Sequence, residues 1–159
     1  MKKSPKMNQS NIGITLNHHK DVLFNKCNAP NGWLSLHGPY GFSFNNENWQ
    51  SMAQAWYSII HNVQSDQFSL GRYKTAETEL PDAIRYGYLI GILNAIITTH
   101  PILKDYLLDT GQSRLIYSIS KYSSHDQKWL GYNLEDEIGQ NKLGMAWMEI
   151  RKKLQEEKL

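Results

Sequence analysis

Three segments of the chain repeat apolar residues every three or four positions, which is the spacing of a helix with one buried face. The first begins at Trp49, the second centres on residues 89–96, and the third spans residues 143–154. Each apolar face must pack against another element, so the segments predict one shared core. A chain of 159 residues is long enough for one such core and too short for two ordinary domains. The predicted core residues are Trp49, Met52, Ala53, Trp56, Ile60, Val63, Leu89, Ile92, Leu93, Ile96, Leu143, Trp147, Ile150 and Leu154.

Around these segments, short apolar runs alternate with turn residues, a pattern typical of short strands and loops. The predicted strands are Val22–Phe24, Trp33–Leu36, Gly41–Phe44 and Leu115–Tyr117. The predicted helices begin near Asn46 or Asn48, after Pro81, at Pro101 and near Asn141, and the last three end near Thr99, Gly111 and Gln155. Residues 64–79 are predicted as mostly loop, with or without a short helix, and residues 121–139 as a long polar loop.

Together these elements predict a single α+β domain, mainly helical, over residues 26–159, preceded at residues 1–25 by an arm or an added edge element. The net charge is +2, so overall electrostatics give no argument for nucleic acid binding. The lone Cys27 cannot form an internal disulfide. Neither a signal peptide nor an apolar run long enough for a bilayer is evident, so we expect a cytoplasmic protein that does not bind membranes.

Histidine and glycine patterns argue against several kinds of site. The six histidines lack the spacing of a zinc motif such as H-E-x-x-H, so we expect no metal site. The sequence also lacks a P-loop and a G-x-S-x-G motif. We therefore expect no cofactor.

The last third of the chain holds an ordered set of motifs. Asp126-x-x-Trp129 is followed by Gly139-Gln140-Asn141-Lys142-Leu143-Gly144 and then by Met148-Glu149-Ile150-Arg151-x-x-Leu154. This order resembles the D-x-x-W … G-x-N-x-L-G-x-x-x-M-E-x-R-x-x-L signature of the NADAR superfamily, the YbiA-like N-glycosidase family. Further matches, which extend the resemblance over about residues 30 to 155, are Trp33–Ser35, Trp49–Met52, Gly71-Arg72, His100-Pro101-x-Leu103, Leu107–Gly111 and Leu115-Ile116.

The resemblance implies a YbiA-like fold and chemistry at N-glycosidic bonds, either in a riboflavin-pathway intermediate or in ADP-ribose attached to a nucleobase. In the family a Glu-His pair follows W-P-T-V, and the Glu is the catalytic residue. In this chain those two positions hold Ala53 and Gln54, and a family Lys further along is Ile60. The chain is therefore identified as a divergent member without the usual catalytic Glu, and it is either a hydrolase or a pseudoenzyme.

Cleavage of an N-glycosidic bond passes through an oxocarbenium-like centre that a carboxylate can stabilise, and a carboxylate can also activate water. Asp126 matches the motif, and it either serves as this catalytic group or caps a loop. Trp49 and Trp129 either form walls for a flat base or belong to the core. Glu47 and the acidic run at residues 135–137 are the alternative carboxylates, and their ordinary roles are a helix-terminal charge and a solvated loop.

Four polar side chains complete the predicted ligand site. Asn141 contacts ligand hydroxyls, caps the last helix, or does both. Arg72 either binds a phosphate or is a solvated loop residue. The hydroxyl of Ser51 either faces the pocket or bonds locally. Gln54 joins the set because it occupies the family's His position.

Three functions remain open at this point. A hydrolase would use Asp126 as its carboxylate. A catalytically inactive protein would bind an ADP-ribose-type or ribosyl nucleotide, free or on ADP-ribosylated nucleic acid, without cleaving it. The missing Glu favours this second function, because each 1.36 kcal/mol of lost transition-state stabilisation slows a reaction about tenfold. A protein-interaction module would use the aromatic surface that 5 Trp and 9 Tyr can supply.

Overall fold

The computed structural model describes residues 20–26, 31–64, 67–68, 78 and 80–158. Its helices, numbered in chain order, are α1 (Met52–His61), α2 (Asp82–Thr99), α3 (Ile102–Asp109), α4 (His125–Leu130) and α5 (Lys142–Glu157). Its strands are β1 (Val22–Phe24), β2 (Phe42–Phe44), β3 (Glu47–Trp49), β4 (Leu115–Tyr117), β5 (Tyr132–Asn133) and β6 (Ile138–Gly139). Strands β1 and β4 pair in parallel, whereas β2–β3 and β5–β6 are antiparallel pairs. The predicted single α+β domain, mainly helical, is confirmed.

The core forms where α2 packs against α1, α5 and the β2–β3 hairpin, and where α5 also packs against α3 and β4. Every predicted core residue is buried except Leu154, which is half-buried. Burying one Leu or Ile side chain contributes about 2 kcal/mol relative to leaving it exposed. Burial of the three apolar faces therefore makes a large contribution to the stability of the domain.

Helix α1 begins later than predicted. Asn45 and Asn46 form the two-residue turn between β2 and β3, with φ values of 56° and 64°. Positive φ at both positions is what a type I′ hairpin turn requires. The helix is capped neither by Asn46 nor by Asn48 but by Ser51, whose hydroxyl accepts a hydrogen bond from the backbone N–H of Gln54 at 3.2 Å. The predicted start was wrong because asparagine favours both helix caps and left-handed turns.

The strand predicted at Trp33–Leu36 is also wrong. A single 3-10 turn at Gly32–Leu34 replaces it, closed by the N–H of Leu34 donating to the carbonyl of Asn31 at 3.1 Å. The side chains of Leu34 and Leu36 are fully buried. The apolar residues at positions 34 and 36 are therefore spaced like those of a strand, although they belong to a buried turn. The sequence pattern does not distinguish these two structures.

The polar loop predicted at residues 121–139 instead contains α4 and the β5–β6 hairpin. Ser124 caps α4 by accepting a hydrogen bond from the N–H of Gln127 at 3.2 Å. Tyr132 forms an isolated parallel bridge with Ser118, which joins the hairpin to the end of β4. The loop prediction was wrong because a helix of fewer than two turns shows too little periodicity to detect.

The remaining predicted elements agree with the structure. Strands β1 and β4 match residue for residue, and α2, α3 and α5 begin and end within two residues of their predicted limits. Strand β1 lies in the predicted N-terminal arm and pairs with β4, Val22 opposite Leu115. Residues 1–19 and most of the loop predicted at residues 64–79 lie outside the described residues. The domain boundary after residue 25 stays a prediction.

Within the described residues, no single helix is long and apolar enough to span a membrane. Helices α2 and α3 reach that length and composition only as a pair, and the chain bends by 116° between them.

Candidate functional site

Asp126 lies in the first turn of α4, and its side chain is only 3% exposed. Carboxylates are rarely buried this far without partners. Oδ1 of Asp126 lies 2.7 Å from Nε2 of His61. The indole N–H of Trp56 donates to the same carboxylate, at 3.1 Å from Oδ1 and 3.3 Å from Oδ2. Two side chains of α1 therefore hold Asp126.

His61 is the last residue of α1, and its side chain is as deeply buried as that of Asp126. An ionised carboxylate only accepts hydrogen bonds, so Nε2 of His61 is the donor when Asp126 is ionised. The imidazole also packs beside Trp56 and Tyr57, with ring centroids 6.5 Å and 5.9 Å away. A carboxylate–imidazole pair is a component of general acid–base catalysis. In this structure the pair is closed off from solvent.

Trp129 lies one turn after Asp126 and stacks on Trp56, with ring centroids 5.7 Å apart and planes at 17°. The guanidinium carbon of Arg85, from α2, lies 4.2 Å from the centroid of Trp129. The carboxylate of Asp82 accepts hydrogen bonds from Nε1 of Trp129 at 3.2 Å and from Nη2 of Arg85 at 2.8 Å. This packing joins α4 to α1 and α2. We call Trp56, His61, Arg85, Asp126 and Trp129 the Asp126 cluster.

One donor of this cluster is unsatisfied. Nε of Arg85 is buried and has no hydrogen-bond partner in the described part of the chain. More than nine in ten buried polar groups in proteins have a partner, so an unpaired donor calls for an explanation. A ligand oxygen acceptor beside Trp129 would supply the missing partner.

Tyr117 and Gln127 connect β4 to α4 and α1. The hydroxyl of Tyr117 donates to Oε1 of Gln127 at 2.7 Å, and Nε2 of Gln127 donates to the hydroxyl of Tyr57 at 3.0 Å. Burial, and then the charge of Asp126, raises the pKa of Tyr117 to about 12. The phenol therefore stays protonated at neutral pH and acts as a donor.

The structure places three predicted ligand-binding residues at the start of α1, where local hydrogen bonds use their polar groups. Ser51 caps the helix through the N–H of Gln54. Oε1 of Gln54 accepts from the N–H of Gln50 at 2.7 Å, much as in a capping box. Trp49 is buried, and its indole N–H donates to the carbonyl of Phe44 at 2.9 Å.

Ala53, at the position of the family's catalytic Glu, is fully buried. Its backbone N–H donates to the carbonyl of Leu36 at 2.8 Å, which ties α1 to the segment after the 3-10 turn. A methyl side chain supplies no proton acceptor, so any acid–base chemistry here must come from other residues.

Asn141 fastens the start of α5 to β4. Its Oδ1 accepts from the backbone N–H of Tyr117, and its Nδ2 donates to the carbonyl of Leu115, both at 3.0 Å. It occupies the N-cap position, but its side chain makes no hydrogen bond to its own helix. A Cβ on Gly144 would lie 2.0 Å from the carbonyl oxygen of Leu115, so only glycine allows this close approach. Asn141 and Gly144 of this motif therefore serve the packing of α5 against β4.

Of the predicted site residues, the structure brings Asp126 and Trp129 together, and Arg72 lies outside the described residues. The sequence pattern predicts Trp56 only as a core residue and does not indicate His61, Arg85, Tyr117 or Gln127 as site residues. The one sequence feature that indicates such a site is His61, a histidine at the end of an amphipathic helix. If its imidazole is buried, it needs a polar partner from another segment. Among the described residues, no three His, Cys, Asp or Glu side chains group as metal ligands would.

Comparison with known proteins supports the fold. No protein-family model matches this sequence, and no curated protein matches it significantly. The solved NMR structure of the E. coli protein YbiA is similar, with a TM-score of 0.60 and 17% sequence identity over 87% of this chain and 88% of that chain. The chain therefore has a YbiA-like fold, as the resemblance implied.

Proposed function

We propose that this protein recognises an ADP-ribose-type or ribosyl-nucleotide ligand through Arg85 of the Asp126 cluster, without hydrolysing its N-glycosidic bond. The ligand class comes from the resemblance of Asp126-x-x-Trp129 and the segments after it to the NADAR signature. The YbiA-like fold supports the comparison of these positions, and the chemistry of the cluster supports a nucleotide.

The observation that carries this proposal is the unpaired Nε donor of Arg85 beside the ring of Trp129. A phosphate or ribose oxygen would satisfy that donor, and hydrogen bonds from a guanidinium to an anionic oxygen are among the stronger ones in proteins. Trp129 and Trp56 are buried and stack on each other, so they support the guanidinium of Arg85 from below. The cationic donor of Arg85 thus matches the phosphate or ribose part of a nucleotide.

We expect no hydrolysis because one carboxylate of the family pattern is missing and Asp126 is already occupied by hydrogen bonds. Ala53 replaces the Glu of the family pattern, and both oxygens of Asp126 already accept hydrogen bonds from α1. To act on a sugar, Asp126 would have to release His61 or Trp56 and reach solvent. Either change breaks a hydrogen bond between buried polar groups, at a cost of about 1–3 kcal/mol.

Calorimetric titration with ADP-ribose tests the binding function. We expect saturable binding to the full chain, weakened about tenfold by Arg85→Lys, which keeps the charge but removes the planar donors. The matched control is Arg114→Lys, because Arg114 pairs with Asp21 outside the cluster. Absence of binding, or equal loss in both variants, would contradict the proposal.

The Asp126–His61 pair favours a second candidate function, N-glycosidic hydrolysis, because it holds a carboxylate next to a proton donor. Incubation with DNA carrying ADP-ribosylated guanosine, and with a ribosylaminopyrimidine phosphate, would detect it as released base or sugar. Turnover abolished by Asp126→Asn and kept by Asp105→Asn, an exposed carboxylate on α3, would establish hydrolysis and refute a purely binding role. Neither turnover nor binding would leave a protein-interaction module.

A further inference from the structure

Arg151, on α5, is buried to 6% exposure and forms no ion pair within the described residues. Its Nη1 donates to the hydroxyl oxygen of Thr110 at 2.8 Å. That hydroxyl in turn donates to the carbonyl of Leu107 at 2.6 Å, so its proton is used and its lone pairs face the arginine. The guanidinium has several further N–H donors, and no other hydrogen bond to a described residue uses them.

A buried cation without a carboxylate is unusual, because desolvation of a charge is costly unless an opposite charge compensates it. The other two arginines in the described ranges pair with carboxylates, Arg85 with Asp82 and Arg114 with Asp21. Burial lowers the pKa of Arg151, yet an arginine remains charged at neutral pH. The positive charge of Arg151 thus lacks a counter-charge among the described residues.

Arg151 faces an open cavity of about 680 Å³ between the second half of α5 and the turn that follows α3. This volume is in the range of small-molecule sites. Nε2 of Gln155 donates to the carbonyl of Gly111 at 3.1 Å, which fixes the helix against the turn. The lining residues are Gln112, Met148, Arg151, Lys152, Gln155 and Glu156.

The charges of the cavity favour an anion. Arg151 and Lys152 contribute two positive charges and Glu156 one negative charge, which leaves a local excess of one positive charge. Arginine binds phosphate and carboxylate groups through parallel hydrogen bonds. Met148 adds an apolar wall against which the rest of a small organic molecule can pack.

We propose that this cavity binds a small organic oxyanion, a phosphate or a carboxylate, through Arg151 and Lys152. No residue of the Asp126 cluster lines the cavity. The site is thus separate from the one proposed for the nucleotide, and it does not depend on that function.

The test is an NMR titration of the full chain with phenyl phosphate and, separately, with benzoate, at constant ionic strength. We expect at least one probe to give saturable shifts of the Thr110, Gln112 and Lys152 amides. The probe that saturates identifies the oxyanion. Arg151→Met should weaken this binding about tenfold or more, because it removes a charge-assisted pair while keeping a similar side-chain volume.

Two further variants keep the test decisive if Arg151→Met does not fold. Lys152→Met should weaken binding severalfold, whereas Lys153→Met, at the neighbouring exposed lysine outside the cavity, should leave it unchanged. Shifts that do not saturate with either probe would overturn the proposal. Equal affinities for the Lys152→Met and Lys153→Met variants would overturn it as well.

Discussion

The imidazole of His61 lies 2.7 Å from the carboxylate of Asp126, and it joins the end of α1 to the first turn of α4. The two residues are 65 positions apart in the chain. Because Trp56 donates to the same carboxylate, three side chains fix the orientation of α4 on α1. The same contacts define the candidate site, so its integrity and the packing of these helices are linked.

Replacing Asp126 should therefore lower stability. We expect Asp126→Ala to reduce the free energy of unfolding by about 3 kcal/mol, because the buried hydrogen bonds that join Asp126 to Trp56 and His61 would both be lost. Urea denaturation followed by tryptophan fluorescence measures this loss. The control is Asp105→Ala at an exposed position of α3, which should change stability by less than about 0.5 kcal/mol. Similar values for the two variants would contradict the proposed role of the carboxylate.

Tyr117 should make stability depend on alkaline pH. Its pKa is about 12 in the folded protein and about 10 in an unfolded chain, so folding favours the protonated phenol. The resulting stabilisation is complete below about pH 10 and is lost as the pH rises to about 12, a total of about 3 kcal/mol. Denaturation of the wild type and of Tyr117→Phe across this range measures it. We expect the difference in free energy of unfolding between these two proteins to shrink above about pH 10. The control variant Tyr122→Phe replaces an exposed phenol, so it should lose as much stability over this pH range as the wild type does.

Two glycine substitutions should act in opposite directions. Gly144→Ala would place a Cβ 2.0 Å from the carbonyl oxygen of Leu115 and force α5 away from β4, at a cost of about 3 kcal/mol. Gly87→Ala, inside α2, meets no atom within 4 Å and should stabilise the helix by about 1 kcal/mol. Melting temperatures of both variants test the pair. A stable Gly144→Ala protein would show that the helix–strand contact is looser than described.

Asn141 should stabilise the fold in two ways, through its side-chain hydrogen bonds and through its tolerance of a left-handed backbone conformation. Asn141→Gly keeps the left-handed conformation, with φ at 55°, but loses both bonds to β4, which should cost about 2 kcal/mol. Asn141→Ala should cost about 1 kcal/mol more, because alanine resists that conformation. Chemical denaturation of the two variants separates these contributions. Equal stability of the two would indicate that the backbone relaxes at this position.

The long helices and most of the core could be predicted from the sequence, because the spacing of buried residues is a local property of a helix. Trp56 and Trp147 illustrate this, since each belongs to a predicted apolar face and each is fully buried. Short elements were harder to predict. The turn at Asn45 and Asn46 was mistaken for the start of a helix, because local propensity does not reveal that Phe42 and Trp49 pair across a hairpin.

The candidate site was predictable only in part. The motif identified Asp126 and Trp129, and the structure shows them one turn apart in the same cluster. Ser51, Gln54 and Asn141 belong to the same resemblance, but their polar groups are used in a helix cap and in the attachment of α5 to β4. A motif residue can serve the fold as well as a ligand, and the motif alone does not separate the two roles.

The sequence by itself determined the three amphipathic helices, the single core and, through the order of its motifs, the YbiA-like fold. Only the tertiary structure decided which side chains meet: His61 with Asp126, Arg85 with Trp129, and Arg151 with Thr110 but with no carboxylate among the described residues. The physical reason is that helical periodicity depends on neighbours along the chain, whereas pairing of buried polar groups depends on how distant segments pack.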